Sequence, residues 1–186
     1  MTNTHRLIGA CLFAVVALVG ACDSGAGGET VVPAGGERQF DYLVIEVGIH
    51  DRTYELEVAD TLEKREVGLA GRTSIDEKGG MLFTHPENEK QVQYFWMKGC
   101  LTDMDILFID DSGRIVKWHE MKAEPPRGED ESERAYENRL KRYTSGFPVR
   151  IAIELAPGQL RELRESGLRE GDKVDVDLER LKAMAK

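Results

Sequence analysis

Cysteine is scarce in this chain, and basic charge is outweighed by acidic. Only three cysteines, Cys11, Cys22 and Cys100, occur among 186 residues, too few for the disulfide frameworks of small secreted scaffolds. Lys and Arg total 25 against 34 Asp and Glu, for a formal net charge of −9. A nucleic-acid binder needs a basic face to neutralise phosphates, so this balance excludes nucleic acid as an expected partner. No apolar run reaches the roughly 20 residues that a spanning helix needs. No His or Cys pair stands at zinc-ligand spacing, no phosphate loop ends in Lys-Ser or Lys-Thr, and no serine elbow is present. Neither a metal nor a cofactor is expected.

What the chain does have begins at the N-terminus. Arg6 supplies a short basic region, residues 7–20 are apolar, and Val19-Gly20-Ala21-Cys22 resembles a lipobox. The pattern predicts a lipoprotein signal peptide over residues 1–21, cleavage before Cys22 and lipidation of its thiol. Several acyl chains on one residue anchor a protein stably where one does not. The expected location is therefore the cell envelope, outside the cytoplasm, with the membrane as a partner through Cys22. Removing Arg6 with the leader shifts the formal charge from −9 to about −10. Cys11 leaves with it, so Cys100 is the remaining thiol and no intramolecular disulfide can form. Residues 22–39 are rich in Gly and small side chains and read as a flexible tether.

The globular part is expected over residues 40–178. Leu43-Val44-Ile45-Glu46-Val47 and the alternating Thr53-Tyr54-Glu55-Leu56-Glu57-Val58 predict a hairpin turning through residues 48–52. Asp60 and Glu63 suggest a capping box opening a helix that Gly71 ends, with Arg72 beside the negative end of its dipole. Residues 92–98 predict a strand covered on both sides, and residues 104–109 and 114–121 a further hairpin. Residues 124–146 are charged, with Tyr136, Leu140 and Tyr143 at helical spacing, and fit either a short amphipathic helix on the domain or a mobile insertion. A strand at 149–155, a helix with Leu160 and Leu163 stopped by Gly167, and a last strand through Val174 and Val176 follow. Residues 179–186 are expected to be a frayed or weakly helical tail. The order predicts an α+β fold, mainly antiparallel β, as a small barrel-like sheet with one or two covering helices.

Several motifs in register resemble one family. Val58-Ala59-Asp60-Thr61, the segment from Glu63 to Arg72, Gly80-Met81-Leu82-Phe83, Phe95-Trp96-Met97-Lys98, the strand from Asp105, and Glu154-Leu155-Ala156-Pro157-Gly158 with Gly171-Asp172 are similar to successive motifs of domain of unknown function 192. The resemblance covers roughly residues 43–178. It implies a compact, mostly β domain that is often exported in bacteria, and it implies no activity. The chain departs from the family pattern after Lys98, where Gly99-Cys100 replaces Asn-Thr and Asp103-Met104-Asp105 replaces Pro-Leu-Asp.

The candidate ligand-binding residues are Arg72, Trp96, Lys98, Asp105, His119 and Tyr143. Lys98 and Asp105 end two strands joined by a short connection, and a cross-strand ion pair between them would either fix register or face a ligand. Trp96 shares the Lys98 face and is either core or, with Arg72, the floor of a pocket for a small anionic or planar ligand. His119 has no second ligand at metal spacing. Cys100, His119 and Asp105 are the residue types of thiol catalysis, but nothing in their spacing brings them together. The reading these features favour is a lipid-anchored envelope accessory or binding protein for a small ligand or an envelope protein partner. The alternative is an envelope hydrolase or transferase with its polar cleft around Lys98 and Asp105.

Overall fold

The computed structural model describes residues 40–186. The leader, Cys22 and the Gly-rich tether lie outside the described residues. In chain order the elements are β1 (Val44–Ile49), β2 (Arg52–Ala59), α1 (Leu62–Val67), β3 (Gly79–Thr84), β4 (Gln91–Phe95), β5 (Met104–Ile109), β6 (Ile115–Met121), α2 (Glu133–Arg139), β7 (Tyr143–Val149), β8 (Ile151–Leu155), α3 (Gln159–Ser166), β9 (Val174–Asp175) and α4 (Leu178–Met184). Seven strands form one curled sheet in the order β6-β5-β8-β3-β2-β1-β9, and β4 pairs with β7 in a separate ribbon. The fold is α+β and mainly antiparallel. Its parallel pair is β2 with β3, joined through α1.

Local chemistry sets the element ends. Ile49 pairs with Arg52, so the β1–β2 turn is only His50 and Asp51, tighter than the expected 48–52, and His50 takes the left-handed conformation at φ 57°. Thr61, not Asp60, caps α1: its hydroxyl accepts from the Lys64 amide at 3.4 Å, while Asp60 takes the Lys64 ammonium at 2.8 Å. The helix stops at Gly68, whose φ of 53° suits glycine, three residues before the expected Gly71.

The strands at the middle of the sheet are buried along their whole length. Every residue of β5 and of β8 is buried, because both sheet faces are covered. On one face Val47, Leu56, Leu82, Leu107 and Ile153 pack with Leu163 of α3 and Leu181 of α4. On the other, Met81, Phe83, Ile106 and Phe108 pack under Phe95, Met97, Tyr143 and Val149. Residues 92–98 were expected to be covered on both sides, but β4 ends at Phe95 and Tyr94 is exposed. That segment belongs to the covering ribbon, not to the sheet it covers.

Two further expectations change. The 124–146 segment does carry a helix on the domain, α2, with Tyr136 buried, but Tyr143 belongs to β7. The expected strand at 149–155 is two strands meeting at the buried Arg150, which binds Glu87 at 2.5 Å. At the C-terminus, α4 is capped by Asp177, whose carboxylate accepts from the Arg180 amide at 3.0 Å. Leu181 is 1% exposed, and the Lys186 amide donates to the Asp60 carbonyl at 2.8 Å. Instead of fraying, the tail completes one layer of the core. Leu181→Ala should therefore lower the unfolding free energy by about 2–5 kcal/mol in urea titration. A change within about 0.5 kcal/mol, as for a surface site, would show that α4 does not hold the core closed.

Candidate functional site

Glu154 is the anomaly at the centre of the sheet. It sits in β8 opposite Met81 of β3 and Ile106 of β5, on the same face as Ala152, Met81 and Phe83. Its side chain is buried at 5% exposure, and the influences on its carboxyl are burial and the Arg72 charge rather than a hydrogen bond. Arg72 is the nearby cation, but both of its terminal nitrogens donate to Glu57, at 2.9 and 2.6 Å. Burial pushes the Glu154 carboxyl up to about 8, with the Arg72 charge only partly offsetting it.

Glu154 lies in the wall of an open groove of about 920 Å³. One side is α1 with the turn Gly68-Leu69-Ala70. The other is β4, continuing through Trp96 to Cys100, and Phe83 forms part of the apolar lining. Phe83 and Phe95 meet edge to face with centroids 5.1 Å apart. His85 also lines the groove: its Nδ1 faces Glu89 at 3.4 Å, while its buried Nε2 has no hydrogen-bond partner. Burial and then the Arg65 charge lower the His85 pKa, favouring the neutral ring.

Trp96 and Lys98 belong to this groove as well. The Trp96 ring lies 3.8 Å from the Arg142 guanidinium and 5.5 Å from the Lys98 ammonium. Lys98 is held by two carboxylates of α2, Glu133 at 2.5 Å and Glu137 at 2.6 Å. The Tyr136 hydroxyl accepts from the Gly99 amide at 3.2 Å. The charged 124–146 segment thus fastens one lip of the groove.

The expected Lys98–Asp105 ion pair does not form. Strand alternation turns Asp105 toward the α3 face, away from the groove face that carries Met104 and Ile106. There it accepts from the Leu160 amide at 2.8 Å, and burial raises its pKa to about 6 against that bond. Arg72 does not serve the α1 dipole; Glu57 takes it. His119 Nε2 lies 2.8 Å from the Thr144 carbonyl oxygen and ties β6 to β7. Tyr143 is buried beside it, its hydroxyl accepting from the Lys122 amide at 3.2 Å. Of the six candidates, Trp96 and Lys98 line the groove and Arg72 stands behind Glu154, whereas Asp105, His119 and Tyr143 tie the framework together. Cys100 lines the groove, but burial, then Glu154, push its thiol up to about 12, which disfavours the thiolate that a nucleophile needs.

Residues 44–176 match the family model of domain of unknown function 192, described as an uncharacterized ACR. The chain belongs to the DUF192 family. The matched span contains the whole groove and Glu154. Among solved structures, a chain from Sinorhizobium meliloti 1021, provisionally described as a transcription regulator, is 27% identical with a TM-score of 0.55; the match covers 74% of this chain and 97% of that one. A protein of unknown function from Novosphingobium aromaticivorans DSM 12444 shares the fold at 22% identity and a TM-score of 0.54, covering 81% of this chain and all of that one. No curated protein matches this DUF192 chain.

Glu154 carried a signal in the sequence. A single charge inside Ile151-Ala152-Ile153-Glu154-Leu155 has no wet face to occupy if the strand is buried on both sides. His85 and the Gly68-Leu69-Ala70 turn gave no comparable sign.

The Glu154 carboxyl predicts a specific pH dependence. Its folded pKa of about 8 lies above the ordinary value of 4.5, so it stabilises the fold at low pH, relative to the ionised state, and that contribution is lost as pH rises from 4.5 through 8. Glu154→Gln removes the ionisation. Its melting temperature should match wild type closely below pH 4.5, exceed it increasingly up to about 8, and stay above it by a constant margin beyond. A difference independent of pH across this window would mean that the carboxyl is solvated or paired.

Proposed function

We propose that this protein is a binding module held at the cell envelope by lipid on Cys22, with a small ligand seated in the groove between α1 and β4. The observation that carries the reading is Glu154. Burial disfavours its ionised form, and its side chain lines the groove, where a ligand donor would offset that desolvation. The groove's volume of about 920 Å³ falls within the range of small-molecule sites, and its lining combines aromatic and apolar side chains with charged and polar ones. The lipobox-like Val19-Gly20-Ala21-Cys22 supports the anchor, and the Gly-rich residues after it support a tether that lets the domain reach away from the bilayer.

A hydrolase or transferase built around Lys98 and Asp105 has less support, since Lys98 is engaged by two glutamates and Asp105 faces α3. The regulator description attached to the Sinorhizobium relative finds no support in the charge of this chain, −9 overall.

Two experiments test the two halves of the reading. Cys22→Ser should abolish incorporation of labelled fatty acid and release the protein from the membrane fraction; a Cys22→Ser protein that keeps its label and membrane association would remove the anchor. In an amide-detected NMR screen of small fragments, hits should move the signals of Leu69, Ala70 and Trp96, and Ala70→Trp should suppress them by filling the groove. Hits that cluster elsewhere and ignore Ala70→Trp would remove the groove as the site.

A further inference from the structure

We infer that the groove selects ligands carrying a primary amine on an apolar or aromatic frame, with the ammonium seated on Glu154 and the frame along Phe83, Phe95 and Leu69. This inference rests on the reading of the groove as the binding site and adds the chemistry of what it takes.

The cationic groups around the groove are already engaged by the framework. Arg65 donates to the Thr84 and Lys186 carbonyls, each at 3.0 Å, and pairs with Glu89. Lys98 is held by Glu133 and Glu137. Behind the wall, Glu57 takes both terminal nitrogens of Arg72. The cations of the groove therefore have carboxylate partners, and Glu154 has no cation of its own. With the Nδ1 proton of His85 directed at Glu89, its Nε2 is a second acceptor without a donor. The walls offer acceptors that lack donors, so a complementary ligand brings donors. Exposed Glu66 adds negative charge at the lip.

An ammonium supplies three donors and a positive charge in one small group. It gives Glu154 a charge-assisted bond, the stronger kind, and the neighbouring rings of Phe83 and Phe95 favour a cation over an anion. A carboxylate ligand would meet Glu154 with like charge. A bare divalent cation prefers several oxygen ligands, and among the described residues no three His, Cys, Asp or Glu side chains converge to provide a metal-binding set. When the ammonium arrives at a protonated Glu154, the carboxyl proton leaves to solvent and a carboxylate–ammonium pair remains. Binding therefore releases a proton, and Arg72, Glu57 and the Cys100 thiol are the titratable groups that face Glu154 and share its electrostatics.

The test is titration of the full chain with 2-phenylethylamine, 2-phenylethanol and 3-phenylpropionate near neutral pH. Heats are read in two buffers of different ionisation enthalpy, and sites are mapped by amide shifts. The amine should bind at least about tenfold more tightly than the alcohol, as a charge-assisted bond implies. It should also release protons and move the amides around Leu69 and Ala70, while the carboxylate should not bind. Glu154→Gln, which removes the charge while keeping the shape, should bring the amine down to the affinity of the alcohol. Equal binding of amine and alcohol in the groove would overturn the amine selectivity and leave the groove reading standing. Binding of none of the three, or binding mapped elsewhere, would overturn both.

Discussion

A sheet covered on both faces leaves its middle strands no wet side, and any charge placed there must be answered by the protein or by something it binds. Strands β5 and β8 each carry one such charge. Asp105 is answered: it faces the start of α3, where the Leu160 amide bonds to it at 2.8 Å. The same contact fixes where α3 docks over the apolar face formed by Leu82, Leu107 and Ile153. Glu154, on the opposite face, is not answered. The covering layer there is a two-strand ribbon with α1 and the turn at its C-terminal end, and it leaves a groove instead of a donor.

The charged neighbours sharpen that contrast. Glu57 and Glu154 both stand near Arg72, but a guanidinium satisfies one carboxylate best when it forms a two-pronged pair, and the pair forms with Glu57. Breaking such a largely buried pair by removing one partner typically costs about 3–5 kcal/mol, so Arg72 is not easily borrowed by Glu154. Farther along the groove, α2 does for Lys98 what Glu57 does for Arg72. The result is a site whose positive groups are committed to the framework and whose uncommitted ionisable groups, Glu154 in the wall and Glu66 at the lip, are acidic. The lip that α2 fastens also sets the position of Trp96, with Arg142 stacked on its ring, so the insertion rich in charge shapes the groove without supplying a free charge to it.

Much of the architecture was legible because it rests on local rules. The β1–β2 and β5–β6 hairpins, the α3 helix stopped at Gly167 and the DUF192 resemblance, which holds over residues 44–176, all follow from alternation, turn chemistry and motif order. Where reading failed, the cause was tertiary. The ion pair between Lys98 and Asp105 was inferred from proximity in sequence, but strand parity sends Asp105 to the α3 face. The helix α4 looks too polar to pack, because only Leu178, Leu181 and Met184 hold it to the core, and their value depends on an apolar face assembled from distant strands. The candidate residues Trp96 and Lys98 were found from an unusual pairing of residue types, whereas Glu154 required knowing that β8 is buried on both sides. The proposed anchor at Cys22 rests on sequence pattern alone, since Cys22 lies outside the described residues.

The central claim is that Glu154 is a buried carboxyl for which the fold provides no hydrogen-bond donor. Its side-chain carboxyl carbon can be followed directly by carbon NMR across a pH titration of selectively labelled protein. The account predicts a midpoint at about 8 in the unliganded protein, moving downward when an amine occupies the groove. A midpoint near the ordinary 4.5, unmoved by any groove ligand, would contradict it.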